Sequence, residues 1–163
     1  MAKAVAIVSA ICFLALASFA TAQLGPVFNV EGEVYCDPCR VEFQTSLSKG
    51  LEGAAVRLEC RERDTGVVTI QSETVTGKDG KYNLKTGGDH EEEICEVVAL
   101  KSPSEKCNVS FERADSKARV LLTQNNGVQG TDRYANALGF KTAQADEECK
   151  AVLEELGIVP EDI

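Results

Sequence analysis

The chain has 163 residues, with 17 basic and 26 acidic side chains and a net charge of −9 at neutral pH. That balance argues against nucleic acid and against anionic membrane surfaces as partners, because both select basic patches. The length is enough for one domain with its own hydrophobic core.

The first residues read as a targeting segment. Lys3 is followed by the apolar run Ala4 to Leu16 and then by small residues ending Ala20-Thr21-Ala22. This is the pattern of a secretory signal peptide with a small-residue cleavage site. Cleavage after Ala22 would divide the chain into residues 1–22, the signal, and 23–163, a single β domain. The apolar run is short for a membrane span, which needs about 20 residues. No later stretch approaches that length, so no membrane insertion is expected after cleavage.

Cys12 leaves with the signal, and Cys36, Cys39, Cys60, Cys95, Cys107 and Cys149 remain. An even count in a secreted chain implies a disulfide framework. Six cysteines admit fifteen pairings, and spacing alone selects none of them.

Val27 to Tyr35 alternates, with Phe28, Val30, Gly32 and Val34 on one side and Asn29, Glu31 and Glu33 on the other. Period two with one apolar face predicts a half-buried strand. Ala54 to Cys60 repeats the pattern through Val56, Leu58 and Cys60, and Val67–Thr76 is rich in β-branched residues. Lys78-Asp79-Gly80 signals a hairpin, because Asp-Gly accepts the positive φ of tight turns; Lys81–Lys85 would be the return strand. Gly87-Gly88 opens an acidic loop, Asp89 to Glu93. Ile94–Lys101, Asn108–Glu112 and Ala118–Thr123 follow as strands, and Asn126-Gly127 as a turn.

The period changes near the C-terminus. Ala145, Cys149, Val152, Leu153 and Leu156 recur at three- and four-residue steps, predicting an amphipathic helix within Ala143–Leu156 that Gly157 and Pro160 stop. The fold expected is mainly β: a single-domain antiparallel barrel or sandwich of about seven strands, Greek-key-like, with a short C-terminal helix and three disulfides.

The densest motif is Glu31-Gly32-Glu33-Val34-Tyr35-Cys36-Asp37-Pro38-Cys39-Arg40. A Cys-x-x-Cys can serve redox catalysis, which favours a thiolate at a helix N-terminus, or zinc, which needs four ligands. Here the pair ends a strand, no helix pattern follows closely, and secretion favours oxidation. Two structural half-cystines, each bridged elsewhere, are the expected reading.

At this motif the sequence resembles the olive major pollen allergen family of secreted plant pollen proteins. The resemblance continues through Leu51-Glu52-Gly53-Ala54, Lys78-Asp79-Gly80, Ile94-Cys95-Glu96-Val97, Lys101-Ser102-Pro103 and Tyr134-Ala135-Asn136-Ala137-Leu138-Gly139-Phe140. It ends at Glu148-Cys149 and Val152-Leu153-Glu154-Glu155-Leu156, with all six family cysteines in place. It implies the pairs Cys36–Cys107, Cys39–Cys149 and Cys60–Cys95. It also implies an extracellular, non-enzymatic protein acting in pollen hydration, tube growth or pollen–pistil recognition, with a receptor ectodomain as partner and allergenicity as a side effect.

Asn108-Val109-Ser110 is the only glycosylation sequon, and Asn108 is the expected acceptor. His90, the only histidine, stands among Asp89, Glu91, Glu92 and Glu93 and reads as part of a solvated acidic loop. Ser46, Ser48 and Ser72 lack the Gly-x-Ser-x-Gly context of a nucleophile, and no Gly-rich phosphate loop occurs, so neither catalysis nor a cofactor is expected. Two other functions would use other surfaces: a protease-inhibitory loop at Lys101–Lys106, or a carrier cavity lined by Phe and Tyr.

Overall fold

The computed structural model describes residues 25–112 and 116–158. The expected signal segment and Pro160 lie outside them. Among the described residues, ten strands form two sheets, followed by one helix.

The first sheet is organised by β1 (Val27–Asp37), which is long enough to hold partners end to end along both edges. On one edge its first half pairs antiparallel with β5 (Lys81–Gly87), and Tyr35 and Cys36 then meet β2 (Lys49–Gly50). On the other edge Asn29–Glu31 pairs parallel with β9 (Asp132–Tyr134), and Val34–Asp37 parallel with β10 (Leu138–Thr142). β7 (Cys107–Ser110) closes the sheet beyond β10.

The second sheet runs β4 (Val68–Val75), β3 (Ala55–Glu62), β6 (Glu93–Lys101), β8 (Lys117–Val120), all antiparallel. The alternation read from the sequence decides which faces meet. Phe28, Val30 and Val34 of β1 join Val56, Leu58 and Cys60 of β3 in one core with Val97, Val120, Leu138 and Phe140. Burying such side chains is worth roughly 1.5–3 kcal/mol each. The domain is thus mainly β with one short C-terminal helix and three disulfides, and its pairing is antiparallel except where β1 meets β9 and β10.

The seven strands expected from the sequence are all present, and β2, β9 and β10 add to them. The hairpin at Lys78-Asp79-Gly80 is corrected. The turn exists, with Gly80 at φ +77° and its amide donating to the Gly77 carbonyl at 3.0 Å. Yet the strands it joins enter different sheets, β4 beside β3 and β5 beside β1. The cause is tertiary: Val34 N–H donates to the Gly80 carbonyl at 2.8 Å, and a Cβ on Gly80 would meet Val34 O at 2.5 Å and Gly50 Cα at 2.7 Å. Docking of the turn onto β1 and β2 therefore overrides the local pairing.

The helix is shorter than the stripe implied. α1 spans Cys149–Glu155 and buries Cys149 and Leu153, while Leu156 stays exposed. Residues 143–148 precede it as a loop, because Asp146 is committed elsewhere. Its amide donates to the Pro38 carbonyl at 3.0 Å, and its carboxylate accepts from Glu148 N–H at 3.0 Å.

Candidate functional site

The Cys36–Arg40 motif is wound around one buried side chain. Asp37 is fully buried; its Oδ1 accepts from Cys39 N–H at 3.0 Å and its Oδ2 from Glu42 N–H at 2.7 Å. Arg40 and Glu42 hold positive φ values of 60° and 61°, conformations that cost free energy for non-glycine residues. The Asp37 bonds and the Arg40 guanidinium, which donates to the carbonyls of Thr142 and Ala143, hold that backbone in place.

The two cysteines of the motif part company. Cys36 is bonded to Cys107, with Cα atoms 5.8 Å apart, and Cys39 to Cys149 at 5.3 Å. Cys60 and Cys95 face each other across β3 and β6 and form the third bridge. The first ties β1 to β7, and the second ties the end of β1 to α1. With its two sulfurs in separate disulfides, the Cys-x-x-Cys supplies neither a redox dithiol nor zinc thiolates in this state.

His90 differs from the expectation of a solvated position. It is 8% exposed, its Nδ1 lies 3.0 Å from Glu93 Oε2, and its Nε2 lies 3.2 Å from the Gly87 carbonyl. Its amide donates to the Leu122 carbonyl at 2.8 Å, which folds the acidic loop back against the chain beyond β8. Cys60, His90, Glu93 and Cys95 bring donor atoms within 4.8 Å of one another, but the Cys60–Cys95 disulfide removes both thiolates from that group.

Asp89, next in the loop, is held below its ordinary 3.8, first by a hydrogen bond from the Thr123 side chain and then by the amides of Gln124 and Glu91 and the neighbouring His90. A lowered carboxyl pKa stabilises the fold above the unfolded value, and that contribution is lost as pH falls through the folded one. The Asp89 carboxyl resonance should therefore titrate with a midpoint below 3.8, and amides of residues 89–93 should lose protection only below it. A midpoint at or above 3.8 would contradict the Thr123 bond.

Asn108 lies exposed on β7, at the edge of its sheet, with Ser110 also exposed. Within the segment Lys101–Lys106, Ser102 is buried, and its Oγ accepts from Ser104 N–H at 3.2 Å.

A further recess lies elsewhere and was not signalled by any single motif. It is an open cleft of about 730 Å³ crossing β1 at Glu31, Gly32 and Glu33, with Tyr82 and Tyr134 among its lining residues. Glu31 pairs with Tyr134 on one side and Asn83 on the other, and Glu33 pairs with Lys81, so these side chains share the outer face of the sheet. Tyr82 stands opposite Gly32 on the core face, and its hydroxyl occupies the space where a Cβ on Gly32 would sit. An open cleft flanked by carboxylates is a poor container for an apolar cargo.

A family model described as "Pollen protein Ole e 1 like" matches residues 26–157. The anther-specific protein LAT52 of Solanum lycopersicum is 50% identical over 160 residues, which cover 98% of each chain. Pollen allergen Che a 1 of Chenopodium album is 45% identical over 163 residues, covering 97% of this chain and 96% of that one. Among solved structures, the major plantain pollen allergen Pla l 1 superposes with a TM-score of 0.69 at 31% identity, over 76% of this chain and 99% of that one.

Proposed function

We propose, from the premise that this chain belongs to the Ole e 1-like family of pollen proteins, that it is a secreted, non-enzymatic recognition protein of the pollen surface or pollen tube. In this reading residues 1–22 are removed on secretion, Asn108 is the glycan acceptor, and the partner is a cell-surface receptor ectodomain.

The observation that carries the proposal is the fate of the six cysteines. All are spent on three disulfides that tie β1 to β7 and α1 and join β3 to β6, stiffening the two sheets of one packed body. Such a body presents a fixed outer surface to a partner at low ordering cost. The names of the relatives point to pollen and to the anther.

The test is capture. Tagged, disulfide-bonded protein beginning at residue 23 is incubated with membranes of pollen tubes and of pistil. Saturable retrieval of a surface protein, lost when the bait is reduced and alkylated, supports recognition. Equal retrieval by the unfolded bait, or none from either tissue, refutes it.

A further inference from the structure

The cleft across β1 combines three features that no part of the fold requires. The first is the Tyr82 hydroxyl. Tyr82 is 5% exposed, and its Oη is buried with no hydrogen-bond partner. Buried polar atoms are normally satisfied, and each exception calls for a reason. The phenol is a donor as well as an acceptor, and burial raises its pKa further, so the proton stays on the oxygen.

The second feature is a gap in the edge of β1. β9 pairs as far as Glu31, and β10 begins at Val34. The connection between them departs through Ala135 and Ala137, which line the cleft together with Gly32 and Tyr82. The cleft thus meets both the outward carboxylates and the core-facing hydroxyl that reaches across Gly32.

The third is charge set beside an aromatic ring. Glu31 Oε1 accepts from Asn29 and Asn83, and Glu33 Oε1 accepts from Gln44 at 2.6 Å; the Oε2 of each accepts no hydrogen bond among the described residues. Tyr134, beside Glu31, is 75% exposed. Lys81, the cation among the lining residues, has its Nζ 3.7 Å from Asp79 Oδ2.

We propose that this cleft binds a basic segment of polypeptide. An arginine side chain is seated between Glu31, Glu33 and the Tyr134 ring, and the Tyr82 hydroxyl donates to a carbonyl of the bound backbone. Arginine matches the site in both respects, since its planar guanidinium pairs with carboxylates and stacks on aromatic faces. The net charge of −9 draws such a segment in. An anionic membrane or nucleic acid would be repelled by the same field. The proposal rests on the recognition reading and names the chemistry of the partner.

The experiment is an NMR titration of the isotope-labelled, disulfide-bonded chain with a blocked Gly-Arg-Gly-Arg-Gly peptide, and with a counterpart bearing Glu for Arg. Saturable shifts are expected at Gly32, Asn83, Tyr134 and Ala135, with the basic peptide alone. Glu31→Gln with Glu33→Gln should weaken binding about tenfold, and Tyr82→Phe about fivefold, the usual worth of one hydrogen bond. In the absence of peptide, Tyr82→Phe should melt no lower than the parent protein, because it removes a hydroxyl without a partner. No shifts at these residues, equal shifts with the acidic peptide, undiminished affinity in either variant, or a destabilised Tyr82→Phe would each overturn the proposal. Capture of a surface protein without peptide binding would refute the cleft and leave recognition standing. Peptide binding without capture would do the reverse.

Discussion

Arg133→Ala should destabilise the domain by about 3–4 kcal/mol and lower its melting temperature by about 10 °C. Arg133 is a cation only 5% exposed, and among the described residues no carboxylate pairs with it. Its guanidinium instead binds backbone: Nε donates to the Leu121 carbonyl at 2.8 Å, Nη2 to Thr123 at 2.8 Å, and Nη1 to Asp132 at 2.9 Å and Gly130 at 3.2 Å. Its plane also lies 4.8 Å from the centre of the Phe28 ring, the largest fully buried side chain of the core. One residue therefore gathers the 121–130 connection onto the first sheet.

Alanine would leave these carbonyls without their donor and open a space over Phe28. Lysine keeps the charge, but a single ammonium cannot span the fork, so Arg133→Lys should recover less than half of the loss. Urea unfolding measures both, and amide exchange should show residues 121–131 opening first in the variants. A loss below about 1 kcal/mol for alanine would mean that the connection holds without its arginine.

Breaking the longest bridge should have an effect of similar size but a different distribution. Cys39 and Cys149 are 110 residues apart in sequence. Replacing both by serine should cost about 3 kcal/mol, because the unfolded chain regains the freedom the cross-link denied it. The local result should be sharper. A seven-residue helix has almost no stability of its own, and α1 is buried only through Cys149 and Leu153. Its amides should exchange freely in the double variant while those of β3 and β6 remain protected. Persistent protection of α1 would show that Leu153 and the Asp146–Pro38 bond suffice to dock it.

How much of this was legible beforehand depends on how each element buries itself. β1 and β3 were plain, because Phe28, Val30 and Val34, and then Val56, Leu58 and Cys60, place apolar groups inward at every second residue. β9 was invisible for the opposite reason. Its inward residue is Arg133 and its outward neighbour is Tyr134, so the pattern of polarity is inverted. β10 is buried along most of its length, yet it carries Gly139 and Lys141. Lys141 is tolerated there because its Nζ lies 2.9 Å from Glu42 Oε1 and 3.4 Å from Glu112 Oε1, partners far away in sequence.

The cleft was hidden in the same way. Glu31, Glu33, Tyr82 and Tyr134 come from three strands, and only the parallel pairing of β1 with β9 brings the last beside the first. His90 looked solvated because its sequence neighbours are acidic. Its actual surroundings are the Gly87 and Leu122 carbonyls and the Glu93 carboxylate.

The placement of β1 also sets an order of events in biosynthesis. Asn29 and Asp132 sit side by side at opposite ends of a 103-residue separation. At ribosomal speeds of about 5–20 residues per second, roughly 5–20 s pass between the emergence of the first and the arrival of the second. β5 can cover one edge of β1 during that interval, but the other waits for β9 and β10. A nascent chain stopped before residue 132 carries the most connected strand of the fold with half its hydrogen-bonding edge open, so completion of the sheet and closure of the Cys39–Cys149 bridge both wait for residues 132–149.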